Sequence, residues 1–267
     1  MKDLAAIYAR QFQTTFASMV QYRASLVIWM IAQVLEPLVY LIVWSTVSSG
    51  SGGSVGDYST RAFAGYFILL LLVNQVSYTW IMYEYEYRIR QGALSFTLLK
   101  PVHPIHADIA ENLSSKAITF PLLLVAAAGL SAAFHPLVSP ALWAVLMAVP
   151  VLVLAFLVRF LLEWALAQAA FWTTRVSAIN QAYFVLVLFL SGQVAPLSLF
   201  PRPVQVAADI LPFRWLLGFP VELLLGRVTP IQALQGLAAQ VIWLAISLAL
   251  VRLIWRAGVR VYSAVGA

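Results

Sequence analysis

The sequence contains no cysteine and very little charge. The absence of cysteine excludes disulfide frameworks, thiolate metal sites and cysteine nucleophiles. Only 10% of the 267 residues are charged, whereas a soluble globular domain carries about 25%. Since 63% of the residues are hydrophobic and the mean hydropathy is +0.90, no water-soluble fold of this size hides so much apolar surface. We therefore predict an all-α polytopic membrane protein that forms a single domain over residues 1–267.

The sequence also lacks a nucleotide-binding loop. A loop that cradles phosphate requires glycine directly before lysine, followed by serine or threonine. The three lysines, Lys2, Lys100 and Lys116, follow methionine, leucine and serine instead. We therefore expect this chain to bind no ATP or magnesium and to contain no catalytic residue of its own.

Catalytic triads and metal sites are equally unsupported. The region after residue 100 has four potential ligands in nine residues, His103, His106, Asp108 and Glu111. Because a proline interrupts them, the pattern favours solvated loop residues over a metal site. The formal net charge of +6 is not taken as a sign of nucleic-acid binding, because basic residues in membrane proteins mostly report orientation.

Six segments are apolar and long enough to be predicted as membrane spans. They cover residues 24–47, 61–83, 116–134, 141–171, 176–194 and 231–255. Residues 1–22 repeat large apolar side chains at helical spacing, which predicts a helix in the membrane interface; a cytosolic extension of the first span is the alternative. The repeated positions are Leu4, Tyr8, Phe12, Phe16 and Met19.

The connections carry signals of their own. The stretch "SSGSGGSVGDYST" at residues 48–60 is typical of a flexible loop. Acid-first pairs Glu84–Arg88 and Glu86–Arg90 predict that span two continues as a helix beyond the bilayer. Pro150 predicts a kink in span four, or else the lower end of that span protrudes. Residues 195–230 contain apolar pieces too short to span, which predicts a re-entrant or interfacial segment.

The distribution of basic residues predicts the orientation. With a cytoplasmic N-terminus, eleven of the sixteen basic residues lie on the cytoplasmic side, so both termini are predicted to be cytoplasmic. This places residues 84–115 in the largest cytoplasmic loop. The eleven are Lys2, Arg10, Arg23, Arg88, Arg90, Lys100, Lys116, Arg175, Arg252, Arg256 and Arg260.

Four stretches, in this order, resemble those of a known family. They are "EYEYRIRQGALSFTLLKPVHPI", "AFWTTRVSAINQ", "SGQVAPLSLFPRPVQVAADILPFRWLLGFPVELLLG" and the terminal "VYSAVGA". Together they resemble the ABC-2-type permease, the six-span membrane subunit of an ATP-binding-cassette exporter. More narrowly, the chain is similar to permeases that pair with a second, different permease, a group that includes viologen exporters.

The resemblance implies partners and a location. It implies a complex with two ATPase copies that hold the ATP and magnesium, a second six-span permease, and the bacterial inner membrane. The expected cargo is amphipathic and is cationic, drug-like or lipid-like.

The resemblance also implies a coupling helix between spans two and three that rests on the ATPase. The sequence supports a short helix there with one of two apolar sides, Ala93, Phe96 and Leu99 or Leu94 and Leu98. Such a helix docks into a groove of a soluble partner, or alternatively covers lipid headgroups. The predicted docking residues are Arg90, Gly92, Ala93, Leu94, Phe96, Leu98, Leu99, Lys100 and Pro101.

At the outer face the resemblance implies a re-entrant helical hairpin between spans five and six, acting as a lid over the exit. Asp209 and Glu222 lie in the same segment as Arg202 and Arg214. Either these carboxylates pair with the arginines, or the arginines contact the substrate. The predicted lid residues are Pro196, Phe200, Pro201, Arg202, Pro212, Phe213 and Arg214.

Two carboxylates fall inside predicted spans, where ionisable groups are costly and often functional. Glu163 has Arg159 one turn earlier, which predicts a structural ion pair. Glu36 has no nearby cation in the sequence and is a candidate for the transport pathway. With Trp29, Tyr40 or Trp44, Glu36 would hold a cationic cargo by charge and cation–π contact.

A stand-alone ion-coupled carrier or channel is the alternative function. Such carriers usually show inverted repeats and helix breaks in both halves, and the sequence shows neither an evident repeat nor breaks outside one region. An intramembrane enzyme would require a polar catalytic cluster, and the sequence offers none.

Overall fold

The computed structural model describes residues 2–173 and 176–262. Their fold is almost entirely helical. The exception is one hairpin of two short strands with two residues each, β1 Ser54–Val55 and β2 Tyr58–Ser59. The first six helices are α1 Lys2–Gln21, α2 Arg23–Gly50, α3 Thr60–Ser77, α4 Ile81–Arg90, α5 Ala93–Leu98 and α6 Pro104–Phe134. The remaining six are α7 Leu142–Ala167, α8 Val176–Leu190, α9 Arg202–Ile210, α10 Phe213–Leu216, α11 Gly218–Leu225 and α12 Pro230–Val261.

The second and fourth predicted spans form the centre of the molecule. The segment containing α3 and α4 is the most buried of the long apolar helices, followed by α7. α2, α6 and α12 expose most of their apolar side chains, because a membrane helix that faces lipid has no need to bury them within the protein. α7 packs against α12, α4 and α3, which places the core between these helices.

Five helical segments within residues 2–173 and 176–262 are long and apolar enough to cross a membrane, when α3 and α4 are counted together as Thr60–Arg90. The fifth predicted span, residues 176–194, is shorter than expected: α8 ends at Leu190 rather than at residue 194. Its 15 residues extend for about 22 Å at 1.5 Å per residue, less than a hydrocarbon core of about 30 Å. The prediction of six full-length spans is therefore correct for five, and α8 is a shorter apolar helix.

The prediction of an unbroken second span is wrong. α3 ends at Ser77 and α4 begins at Ile81, so residues 78–80 interrupt the helix. Polar side chains take over where helical hydrogen bonds are lost: the Lys116 ammonium donates to the carbonyl oxygen of Tyr78, and the Thr79 hydroxyl donates to Glu163. Such irregular backbone at membrane depth is stable only where other protein groups satisfy it.

The segment predicted as a cytoplasmic loop at residues 84–115 is mostly helical. α6 begins at Pro104, well before the predicted start at residue 116, with His103 as its N-cap. Asp108 therefore lies on a helix and is 1% exposed, so its prediction as a solvated loop residue is wrong. It accepts hydrogen bonds from Arg88 at 2.5 Å and from the Trp164 indole at 3.0 Å.

Residues 48–60 were predicted as a flexible loop, and the structure differs there too. α2 continues to Gly50, and the β1–β2 hairpin follows directly. Tyr58 anchors the hairpin because its ring is 2% exposed and lies 3.8 Å from the Arg227 guanidinium. α7 continues through Pro150 to Ala167 and is followed by one 3-10 turn, Gln168–Phe171.

Some expectations concern residues that the structure does not describe. Arg175, within the stretch "AFWTTRVSAINQ", lies outside the described residues. So do residues 263–267 of the terminal stretch "VYSAVGA". Of the predicted interfacial helix, α1 is present and packs against α6, with Phe12 and Phe16 exposed.

Candidate functional site: two helical ends and an intramembrane polar cluster

The turn between α4 and α5 presents a short helix at one end of the molecule. Gly92 joins them in the left-handed region, at φ 71°, which only glycine adopts without strain. The chain therefore changes direction at Gly92, and α5 does not continue along α4. α5 ends shortly before Pro101. The two predicted ion pairs on α4 are present: Arg88 contacts Glu84 at 3.1 Å and Arg90 contacts Glu86 at 3.2 Å.

The structure decides between the two apolar sides predicted for α5. Leu94 is completely buried and Leu98 is partly buried against the core. Phe96 and Leu99 point outward with 75% and 83% of their surface exposed. Arg90 and Lys100 are also exposed, and Pro101 follows them. Of the predicted docking residues, Phe96, Leu99, Arg90 and Lys100 are therefore available to a partner, and Leu94 is not.

The inner side of α5 is fixed to the rest of the chain. The hydroxyls of Ser95 and Tyr262 are 2.9 Å apart, which links α5 to the residue after α12. Arg88 joins α4 to the start of α6 through Asp108 and, at 3.6 Å, through Glu111. Through these contacts α5 and the end of α4 are connected to α6 and to the end of α12.

Next to the break, Arg159 and Glu163 form the predicted ion pair. The Arg159 Nε donates to Glu163 Oε1 at 2.9 Å, and both side chains are almost fully buried. The Arg159 guanidinium also donates to Asn74 at 2.9 Å and to Ser77 at 3.3 Å. Since α7 thereby holds the last turn of α3, this pair stabilises the break at residues 78–80.

Glu36 lies on the other side of that break, beside an open cavity. Its carboxylate accepts a hydrogen bond from the Gln193 amide at 2.7 Å, and it forms no ion pair with any described residue. The cavity has a volume of about 300 Å³ and lies between α2, α3 and α8. It is lined by Glu36, Asn74, Tyr78, Arg159, Phe184, Val185, Val187, Leu188 and Gln193. Glu36 and Arg159, which were separate candidates in the sequence, thus line the same cavity.

The three aromatic residues predicted as alternatives beside Glu36 lie in different surroundings. Trp44 stacks on Phe63 at 5.2 Å and donates to the carbonyl oxygen of Val194 at 2.8 Å. Tyr40 packs on Phe67 at 6.0 Å. Trp29 lines a different cavity. None of the three lines the cavity itself, but Tyr40 lies close enough to the Glu36 carboxylate to interact with it, so it is the aromatic residue of the three that accompanies Glu36.

The predicted outer segment folds into three short helices, α9 to α11. Pro201 is the N-cap of α9, and Pro196 and Pro212 are buried in the connections before α9 and α10. Phe213 is also buried, Phe200 is partly buried, and Arg202 is exposed with its guanidinium 3.2 Å from Gln205. The prolines therefore set the helix boundaries, as their sequence positions indicated.

Arg214 links these outer helices by charge. It forms ion pairs with Asp209 and, at 3.4 Å, with Glu222, and its guanidinium lies 5.5 Å from the Trp215 ring centre. Burial raises the pKa of Glu222, and the nearby Arg214 charge opposes that shift. Of the two interpretations left open for this zone, pairing with a carboxylate is observed for Arg214, whereas Arg202 contacts only the Gln205 side chain among the described residues.

The helix break at residues 78–80 was not predicted from the sequence. The contacts by which Lys116 and Arg159 hold this break were not predicted either. The break contains neither proline nor glycine, so the usual signals of interruption are absent. The available signal was a run of polar residues within a span: Asn74, Gln75, Ser77 and Thr79. From the sequence, Lys116 was assigned only to the cytoplasmic side. In the structure it is the second cation, besides Arg159, that holds the break.

Comparison with known proteins identifies the family. The model of the ABC-2 family transporter protein matches residues 7–266, nearly the whole chain. No curated protein gives a significant match. Permeases of this kind are typically non-catalytic multi-pass membrane subunits that associate with an ABC ATPase. The helical fold, the apolar spans and this match agree with the resemblance found in the sequence, and the chain belongs to the ABC-2 family of transporter proteins.

Proposed function

We propose that this chain is the permease subunit of an ATP-driven exporter, forms half of its translocation pathway, and receives force from a separate ATPase through α5. The observation that carries the proposal is the outward exposure of Phe96 and Leu99 on a helix whose other side is buried. Family membership supports the ATPase association, and α5 supplies a surface for it.

The exposed side of α5 has the composition of a docking anchor. A large aromatic and a leucine stand together, with Arg90 and Lys100 exposed at the two ends of the segment. Aromatic anchors seated in a partner groove typically contribute more than 1 kcal/mol, and about 2 kcal/mol or more for a dominant one. Their flanking cations would select an acidic rim on the ATPase.

Replacing Phe96 by aspartate tests this docking directly. The substitution places a carboxylate in the proposed groove contact while leaving the buried side of α5 intact. We expect at least a tenfold loss of ATPase recovered by affinity purification of the permease, with unchanged permease in the membrane.

Leu137→Asp is the matched control. Leu137 is an exposed apolar residue in the turn after α6, at the opposite end of that 31-residue helix from α5. It should leave ATPase recovery unchanged. Normal recovery with Phe96→Asp would contradict the docking role. Leu94→Asp is unsuitable, because a carboxylate at this fully buried position would disrupt the fold itself.

The remaining parts of the transporter follow from the same proposal. Two ATPase copies bind the ATP and magnesium, and this chain binds no cofactor. A second permease, different from this one, completes the pathway. The complex resides in the bacterial inner membrane with both termini of this chain in the cytoplasm, α1 lies in the interface, and α9–α11 form a re-entrant lid over the exit.

We further propose a cationic, amphipathic cargo, drug-like or lipid-like, that contacts the cavity of Glu36. The supporting observation is that this carboxylate has an amide partner but no described cation partner, whereas Glu163 is neutralised by Arg159. A cation entering the cavity would meet Glu36 and the rings of Tyr78 and Phe184, while the charge of Arg159, which also lines the cavity, is paired with Glu163.

Glu36→Gln is the corresponding test, because glutamine keeps the shape and the hydrogen bond to Gln193 but removes the charge. We expect transport of a dicationic viologen to fall by about tenfold at low substrate concentration, with normal expression and ATPase recovery. Unchanged transport would exclude the cargo role of Glu36 and would leave the docking role of α5 untouched.

A further inference from the structure

A second cavity lies on the other side of the helix break, and its polar group is a cation. It has a volume of about 350 Å³ and is formed by α1, α2, the break and α6. Its polar wall consists of Lys116, Gln75, Asn112 and Ser115. Trp29 and Trp80 form the aromatic walls, 38% and 57% exposed, with the Tyr78 ring 6.3 and 6.5 Å from theirs.

Lys116 retains binding capacity in this cavity. Its ammonium donates to the carbonyl oxygen of Tyr78 and lies 5.1 Å from the Phe156 ring centre. An ammonium has three donors, and no described carboxylate forms an ion pair with it. Glu163, which interacts electrostatically with Lys116, is already paired with Arg159. Of the three donors of the ammonium, the hydrogen bonds among the described residues occupy one.

An apolar groove follows the cavity along the same two helices. The groove has a volume of about 520 Å³ and lies between α2 and α6. Trp29 lines the polar cavity and its neighbour Met30 lines the groove; on α6, Lys116 lies in the cavity and Leu122 in the groove. Six residues separate Lys116 from Leu122, which is about 9 Å along a helix.

The groove also has the length of a lipid tail. Its wall on α2 runs from Leu26 to Leu38, and the part beyond Trp29 measures about 14 Å at 1.5 Å per residue. One leaflet contributes about half of a hydrocarbon core of roughly 30 Å. Tryptophans concentrate at the level of the lipid headgroups, which is where Trp29 and Trp80 would place the polar cavity.

We propose that this composite site binds an anionic phospholipid, with the phosphate beside Lys116 and one acyl chain in the groove between α2 and α6. The charge of Lys116 selects an anionic headgroup, the two tryptophans hold it at the interface, and the apolar groove excludes a freely soluble anion as the full ligand. The proposal does not depend on the cargo or on the ATPase partner.

The test measures lipid binding to the full-length protein purified in detergent and stripped of lipid. Phosphatidylglycerol and phosphatidylcholine are titrated separately, and bound lipid is counted by native mass spectrometry. We expect phosphatidylglycerol to bind about fivefold more tightly, the preference that one basic residue near a membrane surface supplies. Lys116→Gln should abolish this preference, and Lys116→Arg should retain it.

Matched variants separate the two halves of the site. Arg256→Gln removes the same charge from an exposed position on α12 and should leave the preference unchanged. Ala126→Trp fills the groove while leaving the bonds of Lys116 in place, and should weaken both lipids. Ala128→Trp adds the same side chain to an exposed position of α6 outside the groove, and should weaken neither.

Three results would overturn the proposal. An unchanged preference for phosphatidylglycerol in Lys116→Gln would remove the headgroup site. Equal lipid binding in Ala126→Trp and Ala128→Trp would remove the acyl groove, and this comparison remains decisive if Lys116→Gln does not fold. Complete displacement of phosphatidylglycerol by millimolar inorganic phosphate would show a site for a free anion instead.

Discussion

The α5 end and the α9–α11 end of this permease are built from similar pieces but packed in opposite ways. Both contain short, proline-bounded helices next to a long apolar helix. From α10 to α11, Leu216, Leu217, Phe219, Val221 and Leu223 are all at most 2% exposed, although Ile210 at the end of α9 is 67% exposed. At the α5 end, Phe96 and Leu99 expose most of their surface.

The charged residues of the two ends also differ. Arg214 is held between Asp209 and Glu222, and Arg227 donates to the carbonyl oxygen of Asp57 at 2.6 Å. Lys100 at the α5 end is exposed, and no described residue forms an ion pair with it. At the α9–α11 end, Arg214 and Arg227 thus have partners within the chain, whereas the α5 end exposes Phe96, Leu99 and Lys100.

A pair of phenylalanine truncations gives the largest expected difference between the two ends. Phe219 packs against Trp215 and the backbone of Gly236, so Phe219→Ala should lower the free energy of unfolding by about 3 kcal/mol or more. Phe96→Ala should change it by less than about 0.5 kcal/mol, because its side chain is mostly exposed. Thermal unfolding in the same detergent provides the measurement, and equal losses in the two variants would refute the contrast in packing.

A pair of arginine truncations tests the charge at the α9–α11 end. Arg214→Ala leaves the largely buried Glu222 without its main cation and should cost about 2 kcal/mol. Arg202→Ala removes an exposed arginine of the same segment, paired only with Gln205, and should change stability by less than about 0.5 kcal/mol. The same unfolding experiment measures both; a stable Arg214→Ala would show that this linkage contributes nothing.

The turn before α5 gives the smallest expected effect. Gly92→Ala forces alanine into the left-handed region and should cost about 1 kcal/mol, because the added Cβ approaches the following carbonyl. Gly129→Ala is the matched control: it lies inside α6 with open space around it, so the greater helix propensity of alanine should stabilise by up to about 1 kcal/mol. Opposite signs in thermal unfolding are the expected outcome, and two changes of the same sign would argue against a conformational requirement at Gly92.

The sequence was sufficient for the features that depend on composition and local spacing. Apolar length predicted the long helices, prolines predicted the boundaries of the outer segment, and i,i+4 spacing predicted the pairs at Glu84, Glu86 and Glu163. Each of these depends on residues that are neighbours along one helix, so no tertiary information is needed.

Features that depend on contacts between helices were not predictable in this way. The break at residues 78–80 exists because Lys116 and Glu163, on two other helices, satisfy its polar groups. The side of α5 that faces outward was ambiguous because Leu94 and Phe96 are equally apolar, and only packing buries one of them. The cavity of Glu36 likewise requires Gln193 from beyond α8.

Transport in reconstituted vesicles tests the central claim most directly. Vesicles are prepared with this permease and its co-purifying subunits, with the ATPase either present or omitted, and uptake of a viologen against its gradient is followed after ATP addition. The account predicts accumulation only when the ATPase is present, and its loss with Phe96→Asp. Uphill transport by the chain in vesicles without any ATPase would contradict the account.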